Sequence, residues 1–196
     1  SQFMNPKYIN YVIQFAEQLH KNIETPKAIA QINEVLEKVQ DLPEFLELSL
    51  KACSTLISIY IDEDKCEPFF ESLIRLEDFL EKDPSKEYTL NEIYKKAVKF
   101  LEKNPTEHLA QGFYNARTKA FKPYEIDSIC KNYSNKAAKF NGQRRVEPSL
   151  LNGHMALTSS TLVNDDDSLK SRIKQKSLEI LSDNYAILGR FEIGRA

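Results

Sequence analysis

Glycine is scarce in this chain, five residues in 196. A phosphate cradle needs several glycines close together, so neither a Walker loop nor a dinucleotide-binding turn can be assembled. Cysteine is scarce as well. Cys53, Cys66 and Cys130 are odd in number and widely spaced, which excludes a disulfide framework and predicts buried thiols in a reducing, cytoplasmic setting. His20, His108 and His154 stand far apart with no second ligand at metal spacing. No metal site and no cofactor is expected from them. The nucleophile-elbow and zinc-protease motifs are missing too, and no catalytic residue is assigned. The longest apolar-rich run, 48–61, is broken by Lys51 and is too short to span a bilayer. No stretch has the pattern of a signal peptide. Ser1-Gln2-Phe3 ahead of Met4 reads as an expression scar, so the native numbering is expected to start at Met4.

Proline, in contrast, is well placed. The eight prolines stand 16 to 25 residues apart, at positions 6, 26, 43, 68, 84, 105, 123 and 148. Proline suits the first turn of a helix, where the amide it lacks would be unpaired, and breaks a helix anywhere further in. Apolar residues between the prolines recur at helical spacing, as in Ile9, Val12, Ile13 and Ala16, or Ile126, Ile129, Cys130, Tyr133, Ala137 and Phe140. The spacing predicts an all-α protein of seven or eight helices in antiparallel hairpins, either an irregular bundle or a short α-solenoid. The β-branched run 57–61 is assigned to a buried helix end, because the 3.6-residue pattern runs straight into it. Asn5-Pro6 and Thr25-Pro26 are expected to open helices, Thr89 with Glu92 to form a capping box, and Lys122-Pro123 to open the seventh helix. Asn5-Pro6-Lys7-Tyr8 also matches the NPxY pattern, but cap chemistry accounts for all four residues.

The pattern stops at Asn141-Gly142. Residues 141–164 carry Gly142, Pro148, Gly153 and a run of hydroxyls without a period, so a flexible loop or linker is expected there. The predicted organisation is a helical domain over 4–140, this linker, and a C-terminal helix with a mobile tail over 165–196. Asp165, Asp166 and Asp167 read as the acidic first turn of that last helix, which is expected to end near Asn184.

Two surfaces are candidate sites. On the fourth helix, Phe70 and Ile74 leave the apolar stripe and join Glu67, Glu71, Asp78 and Glu81, which means either burial on two sides or a partner groove. In the basic stretch 117–145, eight Lys/Arg stand against Glu125 and Asp127. There Lys131, Lys136 and Lys139 lie opposite the apolar stripe and lead to Arg144 and Arg145, a geometry that could meet phosphates. Its alternative is a solvated helix face. Charge is uneven along the chain: 1–104 hold 13 Lys/Arg and 19 Asp/Glu, whereas 105–196 hold 14 and 10.

These features predict a non-catalytic helical module, a scaffold or adaptor that binds another protein through an exposed helix surface. The Lys-, Asn- and Ile-rich composition fits a bacterial protein, including an effector delivered into a host cell. Two alternatives stay open: a binder of anionic surfaces, phospholipid headgroups or nucleic acid, through 117–145, and an enzyme with a dispersed active site.

Overall fold

The computed structural model describes residues 5–118, 125–163 and 167–195. Among them are nine α-helices and no strand: α1 (Pro6–Lys21), α2 (Thr25–Val39), α3 (Leu46–Asp62), α4 (Cys66–Lys82), α5 (Asn91–Lys103), α6 (Thr106–Thr118), α7 (Ile126–Gly142), α8 (Val146–Ser160) and α9 (Asp167–Arg195). Short 3-10 segments, Pro43–Phe45 and Pro84–Leu90, precede α3 and α5. The chain divides into two compact units, Ser1–Ile93 and Tyr94–Ala196. That boundary falls inside the single domain expected over 4–140.

Proline stands in the first turn of α1 and α2 as expected, but of the two only α1 has a side-chain cap: Thr25 is the first residue of α2, and Glu24 before it makes no side-chain cap bond. The Asn5 side chain accepts from the Lys7 amide at 2.9 Å, with Pro6 at the first position of α1. Thr89 departs from expectation: its hydroxyl donates to the Lys86 carbonyl at 2.7 Å, inside the 3-10 segment, and α5 starts only at Asn91. The proposed start at Lys122-Pro123 lies outside the described residues, as do Asp165 and Asp166.

Three hairpins, α1/α2, α3/α4 and α7/α8, share one connection of three residues. In each, the middle residue is left-handed: Ile23 (φ 66), Asp64 (φ 54) and Arg144 (φ 56). The following amide reaches back five residues, Glu24 to Leu19, Lys65 to Tyr60 and Arg145 to Phe140, at 2.8, 2.9 and 2.9 Å. The left-handed residue itself donates to a carbonyl three back, on His20, Ile61 and Asn141. This is the Schellman closure of a helix end. A proline then follows within four residues each time, at Pro26, Pro68 and Pro148. The internal repeat absent from the side chains is therefore present in the backbone. None of the three left-handed positions is glycine.

In the N-terminal unit α1 packs on α2 and α3, α2 on α3, and α3 on α4. Its core holds Ile9, Ile13, Ile32, Leu36, Leu56, Ile57, Phe69 and Leu73. The β-branched run of α3 is helical, as expected, with Ile57 and Ile59 buried and Ser58, Tyr60 and Ile61 half-buried. In the C-terminal unit α8 is the central element, against α6, α7 and α9. Helix α6 packs on α8.

Helix α8 occupies the segment expected to be a flexible linker. It is buried almost all round, through Ser149, Leu150, Leu151, Gly153, Met155, Ala156, Thr158, Ser159 and Ser160. Such a helix has no polar face and so no amphipathic period to detect. Two of its hydroxyls bond to their own helix, Ser159 donating to the Met155 carbonyl and Ser160 to that of Leu157, both at 2.7 Å, whereas Ser149 donates to the Ala137 carbonyl of α7 at 2.9 Å and accepts from the Asn184 side-chain amide of α9 at 2.8 Å. Gly153 lets α9 approach, since a Cβ there would stand 2.9 Å from Leu181 Cδ2. A second correction concerns α9, which runs as helix through the expected tail to Arg195.

Candidate functional site

The patch expected around Phe70 and Ile74 is not a surface. Phe70 is fully buried, edge-on to Phe69 at 5.1 Å, and Ile74 is 8% exposed. Helix α4 is buried on two sides, so its apolar arc is wider than one stripe: Phe69, Phe70, Leu73, Ile74, Leu76 and Phe79 are all interior. Of the carboxylates assigned to the patch, Glu71 is exposed and Glu67 half-buried. They border a core rather than a groove.

The basic stretch survives in part. Lys131, Lys139 and Arg144 are exposed, and Lys136 and Arg145 are half-buried. The Arg145 guanidinium lies over the Phe140 ring at 5.3 Å. Arg117 is interior: it donates to the Tyr133 hydroxyl at 3.1 Å and lies 5.6 Å from the centre of the Phe113 ring. Ile129, expected on the buried stripe of α7, is half-buried.

The three thiols are free and buried. Burial pushes Cys53 up to about 12, with Arg75 opposing, and Cys66 up to about 11. Burial raises Cys130 too. A thiol held protonated in this way is a poor nucleophile. Among the described residues no group of three or more His, Cys, Asp or Glu could hold a metal ion.

Two histidines join polar chains. His20 lies 2.8 Å from Thr25 Oγ1 through Nδ1 and 2.8 Å from Asp62 Oδ2 through Nε2. This ties the end of α1 to the start of α2 and the end of α3, around the turn that carries Ile23. In the C-terminal unit His154 Nε2 lies 2.9 Å from the Tyr185 hydroxyl. Tyr185 is pushed well above its usual range, first by burial and then by Glu102, which accepts its proton in a hydrogen bond. Burial holds His154 down at about 4.

The strongest exposed feature was not foreseen. On α1, Tyr8, Tyr11 and Phe15 are 41%, 63% and 45% exposed. The Tyr11 and Phe15 rings are nearly parallel, 9° apart, with centres 6.4 Å from each other. They wall a cleft of about 280 Å³ between α1 and α2, floored by Ile9, Val12 and Val35 and closed by Gln31, Glu34 and Lys38 of α2. The carboxylate of Glu34 and the ammonium of Lys38 pair at 3.1 Å across one turn. Gln31 Oε1 is buried with no hydrogen-bond partner. A signal was available in the sequence: positions 8, 11 and 15 follow the 3- and 4-residue helical spacing just beside the core stripe 9, 13, 16.

Comparison with known protein families, curated proteins and solved structures finds no match to this chain. Among the described residues no helix is long and apolar enough to cross a membrane.

Proposed function

We propose that this protein is a helical protein-interaction module, an adaptor or scaffold, that engages its partner through the aromatic face of α1. One observation carries the reading: three large aromatics on successive turns, all more than a third exposed, beside an apolar cleft. Single exposed aromatics are ordinary, whereas a contiguous set next to a cleft is what an interface core uses. Phe70 and Ile74 are core and cannot serve as that surface. A bacterial or host-cell setting is part of the same proposal and rests on composition alone.

The test is site-specific photo-crosslinking. Benzophenone at position 11 should give a discrete protein adduct in cells of the source, and benzophenone at exposed Tyr114 should not. A ladder of equal intensity at both positions, or no adduct at position 11, removes the reading.

Charge favours a second reading for the C-terminal unit. It holds 18 Lys/Arg against 11 Asp/Glu, a net of +7, and its exposed Lys131, Lys139 and Arg144 could meet an anionic lipid surface or nucleic acid. Binding to acidic vesicles or to a DNA duplex that falls steeply with salt, and falls again on charge reversal at those three residues, would support it.

A further inference from the structure

We infer that the α1/α2 cleft takes a basic amphipathic helix from a partner protein. This inference rests on the reading of α1 as the interaction face and names the class of its occupant.

The secondary structure of the site limits the mode. Among the described residues there is no strand, and therefore no sheet edge to extend with a peptide strand. The cleft runs between two packed helices, and its wall follows Tyr8, Tyr11 and Phe15. Those residues span about 10 Å of helix at 1.5 Å per residue. Two turns of a partner helix have that length and present apolar anchors at matching intervals.

Charge then selects the partner. The N-terminal unit holds nine Lys/Arg against eighteen Asp/Glu, a net of −9. At the cleft itself Glu34 and Lys38 neutralise each other, so the rim repels neither sign while the field of the unit attracts cations. A cationic helix is steered in from a distance and then docks on an uncharged aromatic wall. The same field disfavours docking of two copies through their N-terminal units, because two nets of −9 would then meet. Gln31 Oε1 supplies one more selection: an unpartnered buried acceptor favours an occupant that brings a donor, such as a lysine ammonium at the edge of the apolar face.

The probe is a fluorescein-labelled 16-residue peptide with Leu and Phe on one helical face and Lys on the other. Its controls are the same peptide with Glu in place of Lys and a scramble that keeps composition but destroys the face. Full-length protein should bind the Lys peptide and not the Glu peptide, and should bind the scramble at least about ten-fold more weakly. Raising salt from 50 to 500 mM should weaken binding about ten-fold or more, since the approach is electrostatic. The Tyr11→Ser/Phe15→Ser double variant should lose about 30-fold, as expected when two central aromatic anchors go. Its melting temperature should stay close to the parent's, because both side chains are exposed. Equal binding of Lys peptide and scramble, or unchanged binding by the double variant, overturns the inference. So does a concentration-dependent dimer in sedimentation that the double variant abolishes, which would give the cleft to a second copy. If the peptide fails while position 11 still yields its crosslinked adduct, the occupant class is wrong and the interaction face stands. If both fail, the face itself is wrong.

Discussion

Replacing Ile23 with glycine should stabilise the N-terminal unit. Ile23 has φ 66 at the α1/α2 turn and is 91% exposed. A left-handed conformation costs an L-residue roughly 1–2 kcal/mol, and a β-branched side chain sits at the unfavourable end of that range. At 91% exposure the side chain contributes almost no burial, so its removal gives up little. The two hydrogen bonds that close the turn are made by main-chain groups of residues 23 and 24 and survive the change. Against the relief stands the extra freedom of glycine in the unfolded chain, about 0.5–1 kcal/mol. The net expectation is about 0.5–1 kcal/mol of added stability for Ile23→Gly. Asp64→Gly should be nearly neutral, because aspartate tolerates this region better. Ile23→Ala should recover less than Ile23→Gly, since alanine keeps a Cβ. Urea titration followed by circular dichroism measures all three against the parent. If Ile23→Gly lowers the midpoint, or if glycine and alanine give the same value, the turn stores no backbone strain.

Three further outcomes follow from the core. Gly153→Ala should destabilise by about 0.5–2 kcal/mol, the overpacking against Leu181 minus the gain in helix propensity, and pairing it with Leu181→Ala in a double-mutant cycle should show non-additivity beyond about 0.5 kcal/mol. Phe70→Ala should cost about 3–5 kcal/mol in thermal or urea unfolding; a cost under about 0.5 kcal/mol would return it to the surface. His154 titrates near 4 when folded and near 6.5 when unfolded, so between those values the unfolded state binds more protons. Its contribution is complete above pH 6.5 and fades as pH falls towards 4, by on the order of 3 kcal/mol. His154→Gln should flatten stability over that window, and an unchanged slope would show that His154 is not the group responsible.

The elements that could be read from sequence are those fixed by neighbours along the chain. Asn5-Pro6 caps α1 because the carbonyl that accepts and the amide that donates are two residues apart. The 57–61 run is helical because its pattern continues an established period. What escaped depends on surroundings. Phe70 and Ile74 present the same sequence pattern whether a second layer of the fold or a foreign helix covers them, and only the packed structure distinguishes the cases. The reverse error hid Tyr8, Tyr11 and Phe15, which sit so close to the α1 stripe that they pass for core. Helix α8 lost its period because it is wrapped on nearly every side, and its serines and threonines look like loop residues until their bonds to the preceding turn are seen.

The wrapping of α8 has a consequence for biosynthesis. A helix with no polar face cannot wait in water, and α9, one of the surfaces that cover it, is made afterwards. About 35 residues separate the end of α8 at Ser160 from the end of α9 at Arg195. At typical translation speeds of about 5–20 residues per second, the synthesis of α9 is completed roughly 2–7 s after that of α8. Until α9 packs, Gly153 lacks the Leu181 side chain that lies against it, and the Ser149 hydroxyl lacks its donor, Asn184. The docking of α9 is thus expected to be a late step in the folding of the C-terminal unit.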